Sequence, residues 1–153
     1  MSETKKITKE QILAVMPQQP PFLFIDEAEI CGDEMTATYT VKPDEVFFEG
    51  HFKGNPVFPG TLMLEALGQL GVLYLLVSGN PEIGGRVDSS KIYFISADGC
   101  RCQRVCRPGD VFKVRVKVQK LRLPVARFSA VMSVDGQKAA SAESLTLTFD
   151  ILK

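Results

Sequence analysis

The segment TLMLEALGQLGVLYLLVS, residues Thr61 to Ser78, carries the strongest fold signal in the chain. It contains no proline and is apolar on nearly every side, a pattern typical of a helix that is buried all round. The segment SGNP at 78–81 ends the helix. The apolar run is short for a bilayer, and Glu65 and Gln69 would be costly in lipid. We therefore predict a soluble protein with a buried helix and no membrane span.

Strands are predicted on both sides of this helix. Two early strands flank Gly32-Asp33, and the later part of the chain is rich in β-branched residues and tight turns. The early runs are Phe22–Ile30 and Met35–Val41, and the later runs are Lys91–Asp98 continuing into Cys100–Arg107, then Val111–Lys120, Val125–Val134 and Lys138–Asp150. The sequence thus predicts an α+β fold, with an antiparallel sheet of about six strands around one long helix.

A short helix is predicted before the first strand. Thr8 and Gln11 have the spacing of a capping box, an apolar face follows, and Pro17 ends the helix. The whole chain, 1–153, is expected to be a single domain. An open sheet of this size has an edge that can pair with a second copy, so a homodimer is expected.

Composition excludes several classes of function. The chain has 18 basic and 18 acidic residues, so it lacks the positive excess that nucleic acid binding requires. The polar N-terminal segment MSETKKITKE does not resemble a secretion signal, and four cysteines without such a signal indicate reduced thiols and a cytoplasmic location. Three of them, Cys100, Cys102 and Cys106, lack the spacing of common zinc sites, so no metal is expected.

The loop before the long helix carries the first candidate catalytic residue. It spans Asp44–Gly60, is broken by glycines and prolines, and contains His51, the only histidine in the chain. Imidazole exchanges protons near neutral pH, so His51 is a candidate base. The alternative is an ordinary loop histidine whose ring is hydrogen bonded to a backbone carbonyl.

Glu65 is the second candidate, because it lies among apolar residues where an unpaired carboxylate is costly to bury. Either it is a catalytic carboxylate in an apolar pocket, or it lies at a rim or pairs with an arginine. Between His51 and Glu65, the helix begins at Pro59-Gly60-Thr61, where free N–H groups favour negative charge. These groups suit removal of a proton α to a carbonyl with loss of a β-leaving group.

The string from Gly50 to Gln69, GHFKGNPVFPGTLMLEALGQ, closely resembles the signature of the FabZ-type 3-hydroxyacyl-acyl carrier protein dehydratases. Weaker similarity extends the resemblance from Met16 to about Phe149. It implies the hotdog fold, a curved antiparallel sheet around one long helix. It also implies a homodimer with two shared active sites, often assembled as a trimer of dimers.

The resemblance also implies a reaction and a set of site residues. A (3R)-3-hydroxyacyl thioester on acyl carrier protein would lose water to give the trans-2-enoyl thioester, with no cofactor beyond the carrier's phosphopantetheine. His51 would take the C2 proton, Glu65 of the other subunit would help the hydroxyl leave, and the Gly60 N–H would bind the thioester oxygen. Tyr93 matches a residue near the acyl tunnel, although a strand tyrosine is also ordinary packing.

Two arginines match positions at which the family docks its acidic carrier. They are Arg101 and Arg104, and the alternative for both is an ordinary solvated strand face. The chain departs from the family pattern at Gln18 and Gln19, where a His-Arg pair is usual, and at Lys53, where proline is usual. These departures favour a paralogue from a specialised lipid or polyene pathway.

Three functional hypotheses remain open at this stage. The first is the dehydratase, the second is a hotdog thioesterase that uses a carboxylate and water, and the third is a non-catalytic subunit that binds the carrier. The order of a loop histidine followed by a helical glutamate favours the dehydratase. The related FabA-type isomerases carry aspartate at the position of Glu65, so isomerisation is not expected.

Overall fold

The computed structural model describes residues 3–153. Two α-helices and eight strands make up the fold: β1 (Lys5–Ile7), α1 (Lys9–Val15), β2 (Glu27–Cys31), β3 (Glu34–Thr40), α2 (Gly60–Val77), β4 (Tyr93–Asp98), β5 (Arg101–Cys102), β6 (Val111–Arg122), β7 (Val125–Val134) and β8 (Gln137–Thr148). Short 3₁₀ turns lie at Val46–Glu49 and Pro81–Ile83.

The strands form one antiparallel sheet in the order β1-β2-β3-β6-β7-β8-β4, and β5 pairs with β8. Side chains alternate between buried and exposed along β6 and β7, so one face of the sheet is apolar and the other is solvated. Helix α2 packs on the apolar face, where the Tyr74 and Phe128 rings meet edge to face with centroids 5.7 Å apart. This confirms the predicted antiparallel sheet around one long helix.

The predicted helix α1 and its capping box are confirmed. The Gln11 N–H donates to Thr8 Oγ1 at 3.2 Å, and the Thr8 N–H donates to Gln11 Oε1 at 2.8 Å. Helix α2 starts one residue earlier than the quoted segment, at Gly60, and Pro59 is its N-cap with a non-helical ψ of 134°. Within residues 3–153, α2 is the one helix long and apolar enough to cross a membrane, and most of it is buried in the core.

The prediction of a strand over Phe22–Ile30 is wrong in its first half, since β2 begins at Glu27. The backbone groups of Phe22 and Phe24 do not bond to a neighbouring strand. They bond to the side chain of Gln69 on α2. The side chain of a residue distant in the sequence thus satisfies backbone groups that a neighbouring strand would otherwise have satisfied.

The predicted strand Cys100–Arg107 is also largely wrong, because its pairing with β8 is limited to Arg101–Cys102 and one further hydrogen bond, from the Gln103 N–H to Ala139 O at 2.8 Å. Beyond it the chain turns toward the loop that carries His51, and the Phe58 N–H donates to Cys106 O at 2.8 Å. The short strand β1 was not predicted at all. The sheet therefore has eight strands where about six were expected, but the fold class is unchanged.

Candidate active site

The loop before α2 holds His51 in one orientation. The His51 N–H donates to Phe47 O at 3.0 Å, and the Val57 N–H donates to His51 O at 2.9 Å. In addition, the ring atom Nδ1 lies 2.8 Å from Val57 O. A carbonyl oxygen can only accept, so Nδ1 carries the proton and Nε2 is left as the basic nitrogen of the neutral ring.

The tip of this loop is a tight turn between His51 and Val57. The N–H groups of Phe52 and Asn55 each donate to the other residue's carbonyl, at 2.8 and 2.9 Å. Gly54 adopts φ +68° inside this turn, a backbone conformation that favours glycine. The Phe52 ring stacks on His51 with centroids 3.9 Å apart and is half exposed, so one side of the imidazole is covered by an aromatic surface.

Glu65 lies in the second turn of α2 and is partly buried among apolar side chains. Burial raises the pKa of its carboxyl group, and a hydrogen bond from Gln69 Nε2 to Oε2, 2.9 Å long, opposes that rise. A carboxyl group in such a setting holds its proton to higher pH than an exposed glutamate, as a general acid requires. The alternative of an arginine partner for Glu65 is not observed among the described residues.

Gln69 is a site residue that sequence reasoning missed. Its side chain is 1% exposed, and its amide makes three hydrogen bonds. Gln69 Oε1 accepts from the Phe24 N–H at 2.8 Å, while Nε2 donates to Phe22 O at 3.0 Å and to Glu65 Oε2. The available signal was a glutamine one helical turn after Glu65 in an otherwise apolar helix.

The start of α2 presents free backbone donors, as predicted for Gly60. The N–H groups of Leu62 and Met63 both bond to Pro59 O at 3.0 Å, and the N–H groups of Gly60 and Thr61 have no such partner among the described residues. The Cys102 thiol lies against this turn, 3.5 Å from Gly60 O. A Cβ at position 60 would come within 3.2 Å of that sulfur, which favours glycine there.

The structure separates the two arginines that were predicted to act together. Arg104 is held by acceptors of its own chain: Val134 O at 3.1 Å, Gln137 Oε1 at 2.8 Å, and the carboxylates of Asp110 at 3.9 Å and Asp135 at 3.5 Å. Arg101 is exposed and makes no ion pair with a described residue. It lines a groove with Arg115 and Lys138 on the sheet face opposite α2.

Tyr93 lies on β4, which is an edge strand of the sheet. Its side chain is 63% exposed, and its hydroxyl donates to Ser90 O at 3.2 Å. The ring therefore does not pack in the core, contrary to the packing alternative for a strand tyrosine. It is available to a ligand or to a second chain.

Within the chain, no hydrogen bond or ion pair joins His51 to Glu65 among the described residues. Burial and the Gln69 hydrogen bond shift the pKa of Glu65, and His51 makes no contribution to that shift. The two candidate catalytic groups are thus held by separate contacts, one in the loop and one on the helix.

The sequence matches a family model described as a FabA-like domain over residues 16–143. A 3-hydroxyacyl-(acyl-carrier-protein) dehydratase FabZ from Bacillus pumilus is 41% identical over 145 residues, covering 93% of this chain and 94% of the relative. The FabZ of Proteus mirabilis is 38% identical over 148 residues, covering 95% of each chain.

Among solved structures, a chain of the ApeI:P dehydratase heterocomplex from Xenorhabdus doucetiae superposes with a TM-score of 0.73 at 15% identity, covering 91% of this chain and 90% of that one. The (R)-hydratase of A. caviae superposes with a TM-score of 0.55 at 14% identity, covering 78% of this chain and 96% of that one. At these identities the two structures show a shared fold.

Proposed function

This chain belongs to the FabA-like domain family and, within it, to the FabZ-type 3-hydroxyacyl-acyl carrier protein dehydratases, and on that basis we propose that His51 and Glu65 perform its chemistry. Its reaction is the dehydration of a 3-hydroxyacyl thioester of acyl carrier protein in fatty acid biosynthesis. The observation that supports the role of His51 most strongly is its Nδ1 hydrogen bond to Val57 O.

In the proposed dehydration, His51 and Glu65 carry out the two proton transfers. His51 Nε2 takes the proton from C2 of the substrate, and the negative charge that develops on the thioester oxygen is stabilised by the Gly60 N–H at the start of α2. The C3–O bond then breaks as Glu65 donates its proton to the leaving hydroxyl, which departs as water. The proton on His51 returns to Glu65 through solvent before the next turnover. These steps need no cofactor beyond the phosphopantetheine arm that carries the acyl chain.

The active unit in this proposal is a homodimer that pairs along β4. Three consecutive apolar side chains of this edge strand are about half exposed or more: Tyr93, Phe94 and Ile95. An exposed apolar edge strand is a ready partner for another strand, and the Phe94 ring also lies against Gly68 of α2, three residues after Glu65. Pairing there would bring a second copy beside Glu65, where its His51 could complete the site.

The carrier protein is proposed to dock through Arg101 and not through Arg104. Arg104 already has four acceptors in its own chain, so releasing it for a partner would break those contacts. Arg101 shares its groove with Arg115, Lys117 and Lys138, which are likewise without an ion pair among the described residues. These four cations outnumber the two carboxylates of the groove, Glu34 and Glu143. Free cations of this kind attract an acidic partner at long range.

Like the fatty acid synthesis it serves, the protein would act in the cytoplasm.

The docking proposal predicts a charge-dependent KM. Arg101→Glu should raise the KM for carrier-bound substrate about tenfold at low salt with little change in kcat, and high salt should reduce the difference. The exposed Arg86, changed to Glu, is the matched control. A pantetheine thioester that lacks the carrier should be turned over equally by all three proteins. An equal loss with the carrier-free substrate would contradict docking at Arg101.

The catalytic assignment is tested by intact-protein mass spectrometry of (3R)-3-hydroxyacyl carrier protein incubated with the wild type, His51→Ala and Glu65→Gln. We expect the wild type to reach an equilibrium between hydroxyacyl and enoyl carrier, and both variants to be slower by about 10²- to 10⁴-fold. Release of free acid would favour the thioesterase. An unchanged acyl mass with a folded, carrier-binding protein would favour the non-catalytic subunit.

A further inference from the structure

The side chain of Arg107 reaches back from a turn between β5 and β6 to the loop that carries His51. Its Nη1 donates to Asn55 Oδ1 at 2.5 Å and lies 3.5 Å from Pro56 O. The Arg107 N–H in turn donates to Asp110 Oδ2 at 2.8 Å, which fixes the backbone of the turn. The guanidinium therefore joins two segments that are about 50 residues apart in the chain.

The loop needs such a contact because its tip has little other support. The end of the loop is anchored at Phe58, which is buried and bonds to Cys106 O. The turn at 52–55 is exposed, and its backbone hydrogen bonds are internal to the loop. Among the described residues, Arg107 is the one side chain outside residues 50–57 that hydrogen bonds to this segment.

The residue that orients the histidine follows directly after the two that Arg107 holds. Val57, whose carbonyl accepts from His51 Nδ1, comes after Asn55 and Pro56. If the 55–56 segment moves, Val57 O moves with it, and the imidazole loses the acceptor that keeps the proton on Nδ1. In water a free imidazole populates both neutral tautomers, so the fraction with a basic Nε2 would fall.

We propose that Arg107 is a positioning residue for His51, acting through Asn55, Pro56 and the Val57 carbonyl. This inference rests on the proposed function, since it matters only if His51 is the base. One terminal nitrogen, Nη1, contacts both oxygens, and a lysine side chain is one bond shorter, so its Nζ would not reach them from the same backbone position. The role requires geometry and not merely a positive charge.

Because His51 is the only histidine, its ring can be observed without interference from any other imidazole. Long-range ¹H–¹⁵N NMR correlations of the ¹⁵N-labelled full-length protein, at a pH where the ring is neutral, should show the Nδ1–H tautomer in the wild type. Arg107→Gln and Asn55→Ala should both shift the population toward Nε2–H. The exposed Arg122, changed to Gln, should leave the tautomer as in the wild type.

The kinetic test uses a 3-hydroxyacyl pantetheine thioester, so that carrier docking does not enter. Arg107→Gln should lower kcat about 10-fold with KM within twofold, and Arg107→Lys should not restore it. The Arg107→Gln/Asn55→Ala double variant should be no slower than Arg107→Gln alone, because the arginine change already removes the contact with Asn55. Full rescue by lysine, additive losses, or an unchanged tautomer would each overturn the positioning role.

His51→Ala in the same assay separates this inference from the proposed function. If His51→Ala is inactive while Arg107→Gln behaves as the wild type, only the role of Arg107 fails. If His51→Ala is as active as the wild type, the assignment of the base fails and the inference fails with it. Thermal unfolding of each variant confirms that the losses do not come from unfolding.

Discussion

Gln69 and Glu65 show how polar groups are accommodated inside an apolar helix. Glutamine supplies an acceptor and two donors, and all three are used: for the Phe24 N–H, for Phe22 O and for the Glu65 carboxylate. The same side chain thus satisfies the backbone of a loop and fixes the rotamer of the proposed acid. We therefore expect both stability and catalysis to depend on this buried amide.

Gln69→Met should therefore reduce both stability and activity. Methionine matches the volume but leaves the Phe24 N–H and Phe22 O without partners, at a cost of about 1–3 kcal/mol in the free energy of unfolding. We expect kcat to fall at least tenfold as well, because Glu65 loses its orienting hydrogen bond. Urea unfolding and the dehydration assay measure the two effects. Gln103→Met, at an exposed position whose side chain makes no hydrogen bond with a described residue, is the control and should change stability by less than about 0.5 kcal/mol.

Glu65→Gln should stabilise the protein at neutral pH while removing activity. The folded-state pKa of Glu65 is raised by burial, so the folded protein binds this proton more tightly than the unfolded chain does. The free energy of unfolding then falls as pH rises from the ordinary glutamate pKa through the raised value. Glutamine does not ionise, so the variant should have the higher Tm at pH 7, and the difference should shrink near pH 4. A Tm below the wild type at pH 7 would contradict the desolvation argument.

Helix α2 lies close to the sheet because glycines face its nearest neighbours. A Cβ at Gly71 would come within 3.2 Å of the Phe128 ring, and one at Gly68 within 3.1 Å of the Phe94 ring. The two rings differ in their freedom to move, since Phe128 is fully buried and Phe94 is half exposed at the sheet edge. Helix α2 is therefore tightly packed against Phe128 in the core, whereas its contact with the Phe94 ring of β4 has room to adjust.

Gly71→Ala and Gly68→Ala make a matched pair that tests this difference. Adding a methyl group against a fixed core ring should cost about 1–3 kcal/mol, even though alanine is the better helix former. At Gly68 the exposed Phe94 ring can shift, so the monomer should lose little stability. Equal losses of unfolding free energy at the two positions would show that the sheet edge is as rigid as the core.

The whole molecule presents one edge of its sheet as an apolar surface. The chain has no net charge, and its ionic groups do not repel a second copy at long range. The Phe94 ring of β4 lies against Gly68 of α2, three residues after Glu65. Within the described residues, however, no hydrogen bond or ion pair joins the Glu65 carboxylate to His51 of the same chain. A functional site that is completed by assembly fits these observations.

Ile95→Glu, at the centre of the exposed β4 surface, should give a folded monomer. A carboxylate there would be buried by pairing without a partner, so the dimer should dissociate by sedimentation analysis while the far-UV spectrum is retained. Dehydration should fall by about 10²-fold or more because the two catalytic groups no longer meet. Val111→Glu, exposed on β6, is the control. A monomer with full activity would show that each chain carries a complete site.

Features that depend on residues close together in the chain could be predicted from the amino-acid sequence. The apolar run of α2 and the Thr8 capping box each carry their own signal, and the stretch from Gly50 to Gln69 indicated the family. Which distant groups form hydrogen bonds and ion pairs with each other is visible only in the folded chain. Phe22 and Phe24 bond to Gln69 and not to a strand, and the Phe58 N–H bonds to Cys106 O. Arg104 is held by two aspartates, whereas Arg101 makes no ion pair with any residue in 3–153. Backbone and side-chain hydrogen bonds over such separations depend on which elements meet in space, and local propensity does not encode that choice.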